Sequence, residues 1–482
     1  MTYRTMVKRL EPYRPAAELF EYFKEEEAAV FLDSSLQGDL GRYSVIGRKP
    51  YLSLVQSDRL YINGVAAEGR IGEFLKRYLE ENREENPTGL PLIAGAIGYF
   101  SYDYGRRTAG VPSRFEDQPD LIPEAVWNFY DNLIIEDHEK QEVFLAAGGR
   151  LQPAEEEIRH LEALLSAGLP DGERQPVALP GAGAGPGAGA RSGGRQAETD
   201  GGRAGGETPR IIPDCTKEAY LKSVERMKDY ITEGDSYIAN LTRQLKIECG
   251  KDPYSVFRKL REINPSPFGG YFQYGAFQIV CASPERFLQM DCQRKIRTRP
   301  IKGTRKRGST EAEDRALRRE LEESEKDRSE LLMIVDLERN DLSRVCEAHT
   351  VKVPELFTIE AYASVFHLVA EITGTLKEGE DVMSLMEAAF PGGSITGAPK
   401  RRAMEIIDEL EQGKRGLYTG SVGYLSLDGR CDFNIVIRTL VHTGGCYHLG
   451  VGGGITCESE SEFEYEETLQ KEKALIEALR LA

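Results

Sequence analysis

The spacing of apolar positions predicts helices and strands in a definite order. Over 217–233 the apolar side chains Tyr220, Leu221, Val224, Met227 and Ile231 share one helical face, and Gly234 follows as a C-cap. The same period predicts helices around 153–166, 311–335, 399–411 and 461–479. Strand-like apolar runs occupy 28–33, 51–55, 95–103, 268–283, 420–427, 431–441 and 447–456. Tandem strands followed by helices favour an α+β fold, with antiparallel β-sheets packed against helices, over a doubly wound fold.

One segment lacks any such pattern. Of the forty residues in 171–210, twelve are Gly and none is aromatic, so the segment has little apolar surface to bury in exchange for its ordering entropy. We therefore predict a flexible Gly/Ala-rich linker over 166–210, between an N-terminal domain (1–165) and a catalytic C-terminal domain (211–482).

Composition narrows the class of protein. Of the 482 residues, 40% are hydrophobic and 29% charged, as in a globular protein in water. No apolar run suits a membrane span, and the first residues lack the apolar core of a secretory signal, so we expect a cytoplasmic protein. The net charge of −17 argues against a nucleic-acid partner. The eight Cys lie singly, without a C-x-x-C pair.

Two pairs of carboxylates stand at helical i, i+3 spacing, Asp327 with Glu330 and Glu464 with Glu467. They either surround a hard cation or form solvated helix faces. Ser461 and Glu464 also have the spacing of a capping box at the start of the last helix.

Three further features each have a functional and a structural explanation. The run Gly450–Gly454 could hold an anion with its backbone N–H groups or form a plain turn. Arg438, expected inside an apolar strand, needs an anionic partner from either the protein or a ligand. His367 lies among apolar residues, where a core His is more common than a catalyst.

Lys302 differs from its basic neighbours. The stretch 294–307 carries eight Lys or Arg and would ordinarily be a solvated loop. Lys302, however, lies between Ile301 and Gly303, and a crowded, partly desolvated Lys can act as a nucleophile. Glu285 in ASPERF is the accompanying carboxyl group.

Together these segments resemble the chorismate-utilising enzyme family, which includes anthranilate, aminodeoxychorismate, isochorismate and salicylate synthases. The resemblance rests on ASPERF (282–287), RPIKGT (299–304), DRSELLMIVDLERND (327–341), VKVPELF (351–357), FPGGSITGAPKRRAMEIIDELE (390–411), GSVGYLS (420–426), IRTL (437–440) and GVGGGI (450–455). It covers essentially all of 213–475, and more loosely the first domain through FLDSS and GRYSVIG. It implies the family's two-lobed sandwich.

The resemblance also implies roles for individual residues. Glu330, Glu464 and Glu467 would be ligands of Mg²⁺, with Asp327 near them. Substrate binding would fall to Gly303, Thr304, Ser394, Tyr418, Arg438, Gly452, Gly453 and Gly454. His367 matches a catalytic His of the family, and Glu285 matches the general acid that protonates the departing C4 hydroxyl of chorismate.

Lys302 distinguishes members of the family, since the aminodeoxychorismate-forming enzymes have Lys in PIKGT where the anthranilate-forming enzymes typically have Ala. The implied activity is therefore conversion of chorismate and ammonia to 4-amino-4-deoxychorismate, on the route to p-aminobenzoate and folate. Lys302 would attack C2 covalently before ammonia attacks C4. The chain shows no glutaminase signature, so a glutamine amidotransferase subunit is the implied partner that supplies ammonia.

Other activities remain open at this point. Ile238 stands where isochorismate and salicylate synthases carry a Lys base, which argues against them, although aminating relatives often have Gln there. Leu32-Asp33-Ser34 and Asn264–Phe268 resemble the tryptophan-binding motifs of anthranilate synthases, with Ser34, Pro267 and Phe268 as candidate contacts. Such a pocket could be a relic, bind tryptophan structurally or be empty. Anthranilate synthesis is the alternative activity, and a non-enzymatic interaction protein is the remaining hypothesis.

Overall fold

The computed structural model describes residues 4–38, 40–166, 208–362 and 365–482. The linker predicted at 166–210 lies mostly outside them. Before it, the elements are β1 (Met6–Leu10), α1 (Ala16–Leu19), β2 (Val30–Asp33), β3 (Tyr43–Gln56), β4 (Leu60–Ile62), β5 (Val65–Ala67), α2 (Ile71–Glu81), β6 (Gly95–Phe100), α3 (Tyr102–Thr108), β7 (Ala125–Asp137), β8 (Glu142–Ala147) and α4 (Ala154–Ser166). A 3-10 turn over Phe20–Tyr22 follows α1.

The longer second part carries the remaining elements. They are β9 (Arg210–Pro213), α5 (Lys217–Thr232), β10 (Ile238–Glu248), α6 (Pro253–Ile263), β11 (Phe268–Tyr274), β12 (Phe277–Ser283), β13 (Arg286–Met290), β14 (Lys295–Thr298), β15 (Ile301–Lys306), α7 (Glu311–Glu323), α8 (Glu325–Val345), β16 (Lys352–Ala361), β17 (Val365–Thr375), α9 (Val382–Ala389), β18 (Gly397–Ala398), α10 (Lys400–Leu410), β19 (Ser421–Ser426), β20 (Cys431–Asn434), β21 (Thr439–Thr443), β22 (Cys446–Ile455) and α11 (Ser461–Leu481). A 3-10 turn over Gly393–Ile395 precedes β18.

The strands form two sheets that are joined where β3 pairs with β7. One sheet runs β9–β10–β22–β21–β12–β11–β2–β3. The other runs β1–β8–β7–β6–β19–β20–β13–β14–β17, and β17 also pairs with β15 and β16. Every one of these pairings is antiparallel, so the predicted α+β class with antiparallel sheets is confirmed.

Both sheets combine strands from before and after the Gly-rich segment. In the first sheet Leu32 of β2 lies opposite Gly270 of β11. In the second, Tyr99 of β6 lies opposite Val422 of β19. The two parts of the chain therefore share backbone hydrogen bonds in two places, while the predicted domain boundaries stay a prediction.

Apolar side chains form clusters between the two sheets and on the outer face of each sheet. Between the sheets, β2, β3, β6, β7, β11, β12, β19 and β21 contribute one buried cluster. Outside the first sheet, α1, α6 and α11 cover a second cluster, which continues to α4 where that helix packs on β8 and β1. A third cluster lies where α5 and α10 pack on β10. Outside the other sheet, α2, α8 and α9 cover a fourth cluster. Helices thus cover the sandwich on both sides, because the outer faces of the sheets also carry apolar side chains that must be buried.

The predicted helices are confirmed in four of five cases. The helices α4, α5, α10 and α11 lie where the periodicity predicts them, and Gly234 adopts a φ of 87° just after α5. The helix predicted over 311–335 is wrong as a single element. It is divided at Ser324, whose hydroxyl accepts a hydrogen bond from the backbone N–H of Asp327 and so begins a new helix.

Two local predictions are wrong. The strand expected over 431–441 is interrupted at 435–438, where Arg438 has a φ of 53° and lies between β20 and β21. The Ser461–Glu464 capping box does not form, because Glu460 is the N-cap and Ser461 donates its hydroxyl hydrogen bond to Glu225. Glu464 instead accepts a hydrogen bond from the hydroxyl of Ser459 at 2.7 Å.

In the described part of the chain, no helix combines the length and the apolar character needed to cross a membrane.

Candidate active site

A β-bulge in strand β15 sets the direction of the Lys302 side chain. The pairing of β15 with β17 shifts register between Lys302 and Thr304, and Gly303 between them has a φ of 70°. A side chain at Gly303 would also bring its Cβ within 2.8 Å of the carboxyl carbon of Asp327. Glycine is therefore required here for two reasons, and the bulge redirects the neighbouring Lys side chain.

The Lys302 amine lies against backbone groups of two other elements. Its Nζ is 3.4 Å from the carbonyl oxygen of Ser394, with a donor geometry. It is also 3.3 Å from the position that a Cβ on Gly454 would take. The absence of a side chain at Gly454 therefore leaves room for the amine, and Ile238 borders the same spot at 3.2 Å.

Glu285 is buried beside Lys302. It is 6% exposed and accepts hydrogen bonds from the side chain of Ser394 and the backbone of Ile301. Burial raises the pKa of Glu285, while these hydrogen bonds and the charges of Lys302 and Lys471 oppose the rise. A carboxyl group with a raised pKa next to an amine is suited to donating a proton at neutral pH.

The glycine-rich strand β22 faces the last helix as well as Lys302. A side chain at Gly453 would place its Cβ 2.7 Å from Oε2 of Glu467 and 3.3 Å from Oε2 of Glu464. Lys471, one turn further along α11, donates a hydrogen bond to the carbonyl oxygen of Gly452 at 2.7 Å. The family motifs assign Gly452 to Gly454 a substrate-binding role, and the structure places all three between Lys302 and α11.

The carboxylates predicted to bind a metal lie on two facing helices. Lys326 on α8 has its Nζ 3.9 Å from Glu330 and 3.6 Å from Glu464, so a cation already connects the two helices. Burial is the main cause that raises the pKa of Glu330 and of Glu464. The charge of Glu464 adds to the rise at Glu330, and the charge of Glu467 adds to the rise at Glu464. A further cation would relieve this repulsion.

These carboxylates do not form a closed metal cage. Among the residues with described positions, no three Asp, Glu, His or Cys side chains gather as a set that could hold a metal ion. Asp327, predicted near the metal, forms an ion pair with Arg305 at 3.0 Å. Mg²⁺ commonly takes one or two protein carboxylates and completes its octahedron with water and substrate oxygens, so the arrangement fits an ion shared with substrate.

Arg438 and Tyr418 lie on another side of the same space. Arg438 donates a hydrogen bond to the carbonyl oxygen of Lys471 at 2.7 Å. Burial lowers the pKa of Arg438, while Tyr418 and Glu467 oppose that change. Within the described ranges no carboxylate forms an ion pair with it, so the guanidinium is available to an anionic ligand.

His367 stands on β17 across from Thr304. Its Nδ1 is 2.9 Å from the hydroxyl oxygen of Thr304. Burial lowers the pKa of His367 to about 4, although the charge of Glu360 opposes the change. The imidazole is therefore neutral at pH 7, and it can exchange hydrogen bonds without carrying a charge.

A buried ion pair supports the site and was not predicted. Arg415, 4% exposed, donates to Glu411 at 2.7 Å and also to the carbonyl oxygens of Ile395 and Asn240. These contacts join the loop after α10 to the turn of Ser394 and to strand β10. Lys471 was likewise given no role from the sequence, although its spacing of four from Glu467 was a usable signal.

The residues of the predicted tryptophan pocket come together where β2 meets β11. The hydroxyl of Ser34 donates to the carbonyl oxygen of Pro267 at 2.8 Å, and Phe268 begins β11. The neighbouring Asp33 is buried and pairs with Arg261 at 2.7 Å.

Comparison with known proteins identifies the family of this chain. A family model described as chorismate binding enzyme matches residues 29–477. Aminodeoxychorismate synthase component 1 of Bacillus subtilis is 35% identical over 454 residues, covering 92% of this chain and 90% of that protein. Anthranilate synthase component 1 of Thermus thermophilus is 36% identical over 495 residues, covering 99% of each. Identity alone therefore does not separate the two activities.

Solved structures confirm the fold. Anthranilate synthase component I from Streptococcus pneumoniae superimposes with a TM-score of 0.77 at 27% identity, covering 92% of this chain and 93% of that one. MenF, the menaquinone-specific isochorismate synthase from Escherichia coli, has the same fold with a TM-score of 0.69 at 17% identity, covering 99% of this chain and 94% of that one.

Proposed function

Because this chain belongs to the chorismate binding enzymes, we propose that it converts chorismate and ammonia to 4-amino-4-deoxychorismate. The observation that carries the proposal is the position of the Lys302 amine. It lies near the buried acid Glu285, against the backbone of Ser394 and Gly454. A product with nitrogen at C4 needs a nucleophile that is separate from ammonia, and Lys302 is such a group.

The proposed reaction consists of two displacements. In the first, the Lys302 amine bonds to C2, the ring double bonds shift, and the C4–O bond breaks as Glu285 protonates the leaving hydroxyl to water. In the second, ammonia bonds to C4, the double bonds shift back, and the bond from C2 to Lys302 breaks. The proton lost by the new amine returns to Glu285, so both residues recover their starting states.

Other side chains of the pocket would orient the substrate. We assign the enolpyruvyl carboxylate to Arg438 and to the backbone near Gly452 to Gly454, with Tyr418 and Ser394 lining the same space. Thr304 and the neutral His367 would contact the ring region beside Gly303. Glu330, Glu464 and Glu467 would hold Mg²⁺. When bound, this ion supplies positive charge opposite the ring carboxylate of chorismate.

The ammonia would come from free ammonium or from a separate glutamine amidotransferase subunit, which we propose as a partner. The name "component 1" of the Bacillus subtilis and Thermus thermophilus relatives is consistent with such a division of labour.

Anthranilate formation is the second candidate. It is supported by the relative from Thermus thermophilus and by the contact of Ser34 with Pro267 in the segments that resemble tryptophan-binding motifs. Lys302 is the residue that argues against it.

Product identification separates the two activities. The purified chain would be incubated with chorismate, Mg²⁺ and ammonium at mildly alkaline pH, with and without an aminodeoxychorismate lyase. We expect p-aminobenzoate only when the lyase is present. Lys302→Ala should abolish it, whereas Lys306→Ala, an exposed Lys on the same strand, should retain it.

The opposite results are equally informative. Fluorescent anthranilate formed without the lyase would make the chain an anthranilate synthase and would remove the covalent role of Lys302. Intact chorismate in every tube, including tubes that contain an amidotransferase partner, would contradict chorismate amination altogether.

A further inference from the structure

Lys326 stands among the carboxylates that we propose as ligands of Mg²⁺. Its Nζ lies 3.6 Å from Oε1 of Glu464 on α11 and 3.9 Å from Oε1 of Glu330 on its own helix, α8. It also lies 5.5 Å from the centre of the Phe463 ring, within the range of a cation–π contact. The ammonium group therefore interacts with two of the carboxylates that would hold the metal.

The position of Lys326 in its own helix does not explain this arrangement. Lys326 is the second residue of α8, where the positive end of the helix dipole disfavours a cation. An ion pair in which Lys precedes Glu by four residues is also the weaker of the two orders along a helix. The attraction of Lys326 to the site therefore comes mainly from Glu464 and Phe463 on α11.

Each of the four carboxylates in the two predicted pairs already has a cationic partner within the chain. Asp327 pairs with Arg305 at 3.0 Å and Glu467 with Lys471 at 3.3 Å, while the other two share Lys326. Four negative charges thus face three positive ones. A divalent cation added to this cluster would make its net charge positive, unless one of the chain's own cations gives way or an anion binds with the metal.

Lys326 is the cation best placed to give way. Its side chain is 38% exposed, whereas the side chains of Glu330 and Glu464 are 12% and 2% exposed. Arg305 and Lys471 each have a further partner, a second carboxylate and a backbone carbonyl respectively. Because the ammonium group of a lysine stands on a flexible four-carbon stem, it can turn into water while the buried carboxylates stay in place.

We propose that Lys326 competes with Mg²⁺ for Glu330 and Glu464 and so sets the concentration at which the metal binds. Mg²⁺ needs direct contact with carboxylate oxygens, and the charge of Lys326 opposes its approach to the same groups. Binding of the metal releases the ammonium group to solvent. The ammonium group returns when the metal leaves, so that one of the two cations connects α8 and α11 at all times. This inference rests on the proposed Mg²⁺ site.

Calorimetric titration of the full chain with Mg²⁺ tests the competition. Lys326→Met removes the charge but keeps an unbranched side chain, and we expect it to lower the Kd for Mg²⁺ by about threefold or more. Lys326→Arg keeps the charge and should leave the Kd close to that of the wild type. Lys473→Met is the matched control, since it removes the same charge at an exposed position of α11. A Kd in Lys326→Met that is equal to or higher than that of the control would overturn the proposal.

Thermal unfolding gives an independent measurement that needs no activity. A ligand that binds the folded chain stabilises it more as its Kd falls. The same concentration of Mg²⁺ should therefore raise the melting temperature of Lys326→Met by more than it raises that of the wild type or of Lys473→Met. An equal rise in all three proteins would contradict the competition.

A ligand variant separates this inference from the proposals beneath it. If Glu464→Gln binds Mg²⁺ as tightly as the wild type, or if neither the wild type nor Lys326→Met binds it, the proposed metal site is wrong and the inference falls with it. If Glu464→Gln loses the metal while Lys326→Met leaves the Kd unchanged, the inference alone is wrong. If the chain makes no aminated product but Lys326→Met binds Mg²⁺ more tightly, the proposed reaction fails and the competition stands.

Discussion

Glu338 on helix α8 is a buried carboxyl group that has no part in the proposed reaction. It is 9% exposed and accepts a hydrogen bond from the hydroxyl of Thr298 at 2.9 Å. Burial raises its pKa to about 8, and the charges of Glu285 and Asp341 add to the rise. The Thr298 hydrogen bond opposes the rise but does not cancel it. We expect this carboxyl group to make the stability of the protein depend on pH.

The sign and size follow from the difference between the folded and unfolded states. The ordinary pKa of Glu is 4.5, so between pH 4.5 and 8 the unfolded chain loses a proton that the folded chain keeps. Stability therefore falls as pH rises through this range. At about 1.4 kcal/mol for each pH unit above 4.5, the cost is about 1 kcal/mol at pH 5 and about 3 kcal/mol at pH 7.

Glu338→Gln removes the titration but keeps an oxygen for the Thr298 hydroxyl. We expect the variant to gain stability over the wild type by about 1 kcal/mol at pH 5 and about 3 kcal/mol at pH 7, from denaturant unfolding at both values. Glu325→Gln, at an exposed position on the same helix, is the control and should show no such trend. A gain that is the same at pH 5 and pH 7 would refute the assignment of a raised pKa to Glu338.

Three further predictions concern the site and its support. Glu285→Gln should lower kcat by roughly 10²–10⁴-fold while the KM for chorismate changes little, and an unchanged kcat would remove its role as the acid. Glu411→Ala leaves the guanidinium of Arg415 buried without its carboxylate and should cost about 3–5 kcal/mol of unfolding free energy; a loss below about 1 kcal/mol would show that the loop rearranges. Gly453→Ala places a methyl group 2.7 Å from Glu467, so the Mg²⁺ concentration for half-maximal activity should rise while the melting temperature stays within a few degrees. An unaltered Mg²⁺ dependence would argue against that carboxylate as a ligand.

The sequence predicted the elements whose pattern is local. Helix α5 shows this, because its apolar face, its Thr216 cap and Gly234 are all adjacent in the chain. The break at Ser324 was missed, because a Ser within a helical period looks like any polar surface residue until its hydroxyl is seen to cap Asp327. The left-handed backbone of Arg438 was missed for a related reason: its apolar neighbours gave no sign that the strand stops there.

The proximity of Lys302 and Glu285 was expected from the family motifs and not from the local sequence pattern. Lys302 and Glu285 lie on different strands, and their proximity depends on a bulge and on the turn that carries Ser394. The supporting pair of Arg415 and Glu411 was not predicted, since its spacing of four suggests an ordinary surface ion pair. Only the packing of β10 and the Ser394 turn around it shows that the pair is buried.

The pairing of strands from both parts of the chain in each sheet constrains how the two parts evolve. Strands β2 and β6 pair with β11 and β19, so the pieces of chain before and after the Gly-rich segment form two edges that must match in register. A recombination event that joined the first piece of one relative to the second piece of another would combine edges that had diverged separately. Mutations on one side of such an edge therefore favour compensating mutations on the other, and the two pieces are expected to descend together although a long segment separates them in sequence.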